Sequence, residues 1–210
     1  MRPALALAAL LLPVVVVSVP AEAGCAHLLT DPAGDATNFG YSAPYPGVLD
    51  NPSQVDVRWA ELRTTRTQLV ATVKLTDLNP EGSQTLDHAY SVTFTTGTRA
   101  FQLLAMFGQD GTEWSKVNES VAGAQQPDDG GAYVGRTVGT LQAVRDVRHD
   151  RVVLTVDRGL LGGANGKVVD IGATGWGAVK TLEGGTYAVA DRARTNRVYR
   201  SGTPDCLTRD

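Results

Sequence analysis

The chain reads LVATVKL from residue 69 to residue 75, and an apolar residue occupies every odd-numbered position of this stretch. Side chains alternate between the two faces of an extended strand, so these four apolar residues share one face. The intervening Val70, Thr72 and Lys74 share the other face. This period of two predicts a half-buried β-strand rather than a helix.

The same alternation recurs along most of the chain. It occurs at 55–59, 90–94, 101–107 and 152–156, with shorter examples at 168–174 and 186–189. Turns rich in Gly and Asp separate these stretches. Roughly nine to eleven short strands at this spacing predict an all-β fold, an antiparallel, jelly-roll-like β-sandwich. In that fold we expect Trp59 to face the core together with Val55 and Val57.

The composition is that of an ordinary globular protein. Of the 210 residues, 42% are hydrophobic and 20% are charged, and the formal net charge is −3. Nucleic acid is therefore not an expected partner, because no basic field is present to attract phosphates. No linker or repeat divides the sequence after its first segment, so residues 24–210 are expected to form a single domain.

The first 23 residues have the pattern of a secretory signal peptide. Arg2 precedes an apolar run at 4–17, and Ala21-Glu22-Ala23 supplies small residues before a cleavage point. The run is shorter than the about 20 residues that a membrane-spanning helix needs. We therefore expect a secreted, extracellular protein without a membrane span. Lipid attachment at Cys25 is the alternative, but Glu22 stands where a lipoprotein signal carries leucine.

The exported part of the chain contains two cysteines, Cys25 and Cys206. Two cysteines allow one pairing, and an oxidising compartment favours its formation. A reactive thiol is the alternative interpretation. The pattern favours a structural disulfide that joins the two ends of the mature chain.

An acidic loop precedes the first long strand. It reads Asp31-Pro32-Ala33-Gly34-Asp35, and Asp56 follows at the start of the strand. Carboxylates on such a turn can converge on one point, and Ca²⁺ takes six to eight oxygen ligands of this kind. The alternative is that Asp31 and Asp35 only cap the turn through hydrogen bonds to the backbone.

Several short motifs together resemble a known group of exported bacterial domains. They are LTDPAGDA at 29–36, a Tyr/Pro/Gly loop at 41–47, VDV at 55–57, VKLTDL at 73–78, and VVLTV at 152–156 followed by Leu160-Leu161-Gly162. The chain is similar in these motifs to family 9-type carbohydrate-binding modules and DOMON-like sandwiches. The resemblance implies a β-sandwich in which Asp31, Asp35 and Asp56 bind calcium, with extracellular carbohydrate as the ligand.

No catalytic constellation is evident. The three histidines lie far apart in the sequence, so a zinc site is not expected. We expect a non-catalytic binding or cell-envelope accessory module whose partner is an extracellular carbohydrate or protein. One alternative is a polysaccharide hydrolase with a carboxylate pair drawn from residues such as Glu61, Glu113 and Glu119. Another is a protein-interaction module such as an inhibitor or adhesin. Trp114 and Trp176 are candidates for a sugar-stacking surface.

Overall fold

The computed structural model of the protein describes residues 28–38, 53–79, 85–108, 111, 113–121, 135–162, 167–180, 186–195, 199–201 and 207–209. The expected signal peptide, Cys25 and Cys206 lie outside these residues. Within the described residues, no helix is long and apolar enough to cross a membrane. Two short 3₁₀ turns occur, at Val147–His149 and Arg158–Leu161.

The described residues form fourteen β-strands in two antiparallel sheets. Ten strands have four or more residues, in agreement with the predicted number, and four have only two or three. In chain order the strands are β1 (Leu29–Thr30), β2 (Thr37–Asn38), β3 (Val57–Thr64), β4 (Gln68–Leu75), β5 (Thr85–Thr96), β6 (Arg99–Phe107), β7 (Glu113–Val121), β8 (Arg136–Gly139), β9 (Gln142–Asp146), β10 (Arg151–Asp157), β11 (Lys167–Lys180), β12 (Thr186–Thr195), β13 (Tyr199–Ser201) and β14 (Leu207–Arg209).

The smaller sheet has the strand order β1-β3-β4-β10-β9 and is called the five-stranded sheet below. The nine-stranded sheet has the order β14-β13-β11-β5-β6-β7-β8. Its strand β12 pairs with β11 on one side and with β2 on the other. The chain therefore passes between the sheets several times, and β1 and β2, although close in sequence, belong to different sheets.

A single hydrophobic core fills the space between the sheets. The five-stranded sheet contributes residues such as Leu62, Val73 and Leu154, and the nine-stranded sheet contributes Tyr90 and Phe101. All five side chains are almost completely buried. The alternation at 69–75 thus has the predicted effect, and the all-β antiparallel sandwich is confirmed.

The prediction that Trp59 faces the core is wrong, because β3 contains a bulge. Val57 pairs with Leu75 and Trp59 pairs with Lys74, so Arg58 is an extra residue with no partner in the register. One extra residue reverses the faces of the residues that follow it. Ala60 and Leu62 are consequently buried, whereas Trp59 is only half-buried on the outer face.

One close contact fixes how the two sheets meet. The backbone at Val55, just before β3, passes so near to Gly175 of β11 that a Cβ at this glycine would overlap the Val55 carbonyl oxygen. The Tyr90 hydroxyl donates a hydrogen bond of 3.0 Å to the Gln54 carbonyl on the same segment. Residues 54–57 are therefore held directly against the inner face of the nine-stranded sheet.

We expect Gly175→Ala to lower the free energy of unfolding by about 2–3 kcal/mol, because the added methyl group must push two backbones apart. Urea unfolding followed by circular dichroism measures this change. Gly97→Asn is the matched control, because Gly97 has a φ of 58° and open space around its Cβ position. Asparagine tolerates that backbone, so the control should change stability by about 0.5 kcal/mol or less. Equal effects of the two substitutions would contradict the role given to this contact.

Candidate metal centre

The acidic loop connects the two sheets. It leaves β1, which pairs with β3 in the five-stranded sheet, and enters β2, which pairs with β12 in the nine-stranded sheet. The Asp31 amide donates to the Arg58 carbonyl at 3.0 Å, which attaches the start of the loop to β3. Gly34 has a φ of 87°, a conformation that favours glycine and turns the chain toward β2.

Three carboxylates converge at this crossing. Asp31 and Asp35 come from the loop and Asp191 comes from β12, and one oxygen of each lies within 4.8 Å of the others. Oxygens that bind one Ca²⁺ at about 2.4 Å lie at most about 4.8 Å apart, on opposite sides of the ion. The spacing of these three oxygens therefore fits a single shared calcium ion.

Asp191 joins the group through the register of β12. It lies directly opposite Gly175 and is 6% exposed. Its Oδ2 accepts a hydrogen bond of 2.6 Å from the Val57 amide, and its Oδ1 accepts one of 2.6 Å from the Arg192 amide. The same carboxylate thus holds the first residue of β3 and faces the two aspartates of the loop.

Sequence reasoning missed Asp191, although one signal was present. Val189, Asp191 and Ala193 stand at alternate positions of β12, and Ala193 is buried in the core. A carboxylate at an inward position of a strand is unusual, because burying an unpaired charge is costly. That position alone would have marked Asp191 as a candidate functional residue.

Asp56 holds the acidic loop through hydrogen bonds. It is 2% exposed, and its Oδ2 accepts hydrogen bonds from the Gly34 amide at 3.0 Å and from the Thr76 hydroxyl at 2.6 Å. Its Oδ1 is buried without a hydrogen-bond partner among the described residues. The structure therefore brings Asp31 and Asp35 together with Asp191, and gives Asp56 a bracing contact with the loop. The assignment of Asp56 as a metal ligand stays a prediction.

Burial and neighbouring carboxylates raise the pKa values of Asp31 and Asp191. Burial, followed by the charges of Asp35 and Asp56, raises the pKa of Asp31 from 3.8 to about 6. Burial, with the charge of Asp31 adding to it, raises the pKa of Asp191 from 3.8 to about 7. One oxygen of Asp31 is also buried without a hydrogen-bond partner. The charge of Arg58 lowers the pKa of Asp31 but does not cancel the rise, so protons or a cation can neutralise the remaining negative charge.

The donor set is that of a hard cation. The three clustered groups are carboxylates, and no histidine or cysteine joins them among the described residues. Oxygen-only sites of this kind suit Ca²⁺ rather than zinc or copper. Asp35 is exposed, so an ion could enter from solvent on its side of the loop.

The carboxylates considered for hydrolysis have other contacts. Glu61 lies 3.1 Å from Arg63 in an ion pair and is buried. Glu119 forms ion pairs with Arg99 and Arg136, and the Arg99 hydrogen bond helps to lower its pKa. Glu113 is exposed at the start of β7. None of these three belongs to the carboxylate group around Asp191.

Comparison with protein-family models, with curated proteins and with solved structures finds no match to this chain. The resemblance to family 9-type and DOMON-like modules therefore stays a hypothesis that rests on the quoted motifs. The geometry of Asp31, Asp35 and Asp191 is the observation from which a function can be inferred.

The raised pKa values predict how the metal-free protein responds to pH. Asp31 and Asp191 bind protons more tightly in the folded state than in the unfolded state, where carboxyl pKa values are near 3.8. Their contribution to stability is therefore largest below about pH 4 and is lost as the pH rises through about 6 to 7.

We expect the melting temperature in EDTA to fall between pH 5 and pH 8, as measured by differential scanning calorimetry. In Asp31→Asn, which mimics the protonated aspartate, the fall should be smaller. The same slope in both proteins would show that the Asp31 carboxyl does not titrate in this range.

Proposed function

We propose that this chain is an exported, calcium-stabilised β-sandwich that acts as a binding or cell-envelope accessory module. The observation that supports it best is the convergence of Asp31, Asp35 and Asp191 at the crossing between the sheets. A cation there would neutralise three carboxylates and join the loop to β12. The role of calcium in this proposal is structural, because it stabilises the sandwich that presents a binding surface.

Two buried oxygens strengthen the case for a cation over a simple turn. Asp31 Oδ2 and Asp56 Oδ1 have no hydrogen-bond partner among the described residues. A buried carboxylate oxygen without a partner costs free energy, and metal coordination is one way to recover it. Turn capping alone would leave these oxygens unsatisfied, whereas a cation beside the loop attracts both.

The expected location and the site are mutually consistent. Extracellular calcium-binding modules commonly have dissociation constants of about 10⁻⁴–10⁻³ M, because the ion is abundant there. A site with three clustered carboxylates, one of them exposed to solvent, suits dissociation constants in that range. Export therefore supplies the ion at a concentration that would keep the loop ordered.

Calcium should raise the melting temperature of residues 24–210 by several degrees relative to EDTA, because a ligand that binds only the folded state stabilises it. Asp35→Asn should remove most of this increase. In EDTA it should leave the melting temperature unchanged or raise it slightly, because Asp35 is exposed and its charge repels Asp31. Differential scanning fluorimetry measures both effects, and calorimetric titration gives the affinity.

Asp157→Asn is the control for this experiment. Asp157 is exposed at the end of β10, and its Oδ1 accepts a hydrogen bond from the Gly159 amide that asparagine can also accept. Its calcium response should equal that of the wild type. Identical melts of the wild type in calcium and in EDTA would refute the metal site and leave Asp31 and Asp35 as turn residues.

A Cys25–Cys206 disulfide is part of the same proposal. Cys25 lies three residues before Leu28, and Cys206 directly precedes β14. Strands β1 and β14 both contact β3. These two strands are the described segments nearest to the two cysteines.

Closing a loop of roughly 180 residues would contribute about 4–5 kcal/mol at most to the free energy of unfolding. We expect a non-reduced digest of the exported protein to contain a peptide pair linked through Cys25 and Cys206, identified by mass spectrometry. Reduction should lower the melting temperature, and the double variant Cys25→Ser/Cys206→Ser should melt like the reduced protein. Two free thiols in the exported protein would exclude the bond.

A further inference from the structure

The outer face of the nine-stranded sheet carries both remaining tryptophans in one row. Strand pairing places Trp176 of β11 beside Ala89 of β5, Ala89 beside Met106 of β6, and Met106 beside Trp114 of β7. Neighbouring strands lie about 4.8 Å apart, so the two tryptophan positions are about 14 Å apart across the sheet. We call this line of four residues the tryptophan row.

The polarity of β11 is inverted around Trp176. Gly175 and Gly177 point into the sandwich and are buried, whereas Trp176 points outward and is only partly covered. A sandwich strand ordinarily places its large apolar side chains inward, where burial stabilises the fold by about 1.5–3 kcal/mol per side chain. Here the inner positions are glycines and the largest side chain lies half-buried on the outer face. Packing of the core therefore does not account for Trp176.

Strand β7 shows the same inversion. Ser115 lies on the inner side and donates a hydrogen bond to the Leu141 carbonyl, while its neighbour Trp114 is 40% exposed. The Lys116 ammonium lies 5.0 Å from the centre of the Trp114 ring, also on the outer face. No ion pair with a carboxylate is formed by Lys116 within the described part of the chain. This end of the tryptophan row thus combines an exposed aromatic ring with a cation.

Two rows on one side of the tryptophan row carry basic residues, whereas the row on its other side carries Asp87 of β5, opposite Ala178. The adjacent row runs from Arg192 of β12 through Thr174, Ser91 and Leu104 to Lys116. The row after that contains the register position of Arg194, followed by Gly172, Thr93, Gln102 and Asn118. No carboxylate residue occupies a described position of these three rows. A basic strip of this kind is notable in a chain whose net charge is −3.

We propose that this outer face binds an acidic polysaccharide, a sugar chain that contains uronic acids. The apolar faces of its sugar rings would lie on Trp114 and Trp176, and its carboxylates would meet Lys116 and Arg192. Thr174 lies in the row between Arg192 and Lys116, and its hydroxyl can hydrogen-bond sugar hydroxyls. This inference rests on the proposed function, because an exported binding module encounters such polymers.

The test measures binding to polygalacturonate in calcium-containing buffer by affinity gel electrophoresis, with dextran as the neutral polymer and single-stranded oligo(dT) as a different polyanion. The variants are Trp114→Ala, Trp176→Ala and Lys116→Gln. The control is Trp59→Phe, because Trp59 lies on the outer face of the other sheet. Melting in calcium and in EDTA is recorded for every protein, so that folding and the metal site are monitored independently.

Polygalacturonate should retard the wild type and the Trp59→Phe control equally, and dextran should not. Each tryptophan variant should weaken binding by about tenfold, a change in Kd that is readily resolved. Lys116→Gln should weaken binding about twofold to fivefold at low salt, and less at high salt, because salt screens charges near the surface.

The inference would be overturned by no retardation of the wild type, by retardation that is unchanged in both tryptophan variants, or by tighter binding to oligo(dT) than to polygalacturonate. Equal retardation by dextran would remove the role of the basic strip and overturn the acidic specificity. A protein that calcium stabilises but that fails to bind the polymer would retain the metal site and lose only this surface. A protein that binds the polymer but is not stabilised by calcium would retain this surface and lose the metal site.

Discussion

The inward-facing carboxylate of Asp191 is the contact on which the arrangement of the sandwich edge depends. It accepts a hydrogen bond from the amide of Val57, the first residue of β3. Asp191 also lies opposite Gly175, and the Val55 backbone packs against this glycine. The start of β3 in the five-stranded sheet is thereby fixed to the nine-stranded sheet. The acidic loop must then cross at the same place, because it joins β1 beside β3 to β2 beside β12. The carboxylate group is a result of this crossing.

This arrangement places negatively charged carboxylates where little solvent reaches them. Asp191 satisfies two backbone amides, which stabilises its charged form, yet burial still raises its pKa to about 7. Asp31 is raised in the same way by burial and by its acidic neighbours. Protons neutralise such a group at low pH and a divalent cation can do so at neutral pH. The proposed calcium ion therefore acts against a repulsion that the fold itself creates.

Much of the fold follows from local pattern. The period of two at 69–75 and 90–94 identifies strands with one buried face, and these faces form the core. Local pattern fails where a pairing event changes the register. The bulge at Arg58 turns Trp59 outward, and only the alignment of β3 with β4 reveals it. For the site, the loop aspartates 31 and 35 could be predicted from their spacing. Asp191 could not be assigned to them, because strand pairing across the sandwich brings it there.

The hydrogen bond between Val57 and Asp191 spans 134 positions of the chain. Contacts between residues so distant in sequence form slowly, because a long loop must close before they contribute any stability. A chain that emerges from its N-terminus displays the acidic loop early and completes the carboxylate group only after β12 has followed. The group of three carboxylates is thus complete only after β12 has paired with β11 and β2. The proposed cation would therefore find its full set of carboxylates only in molecules whose two sheets have already formed.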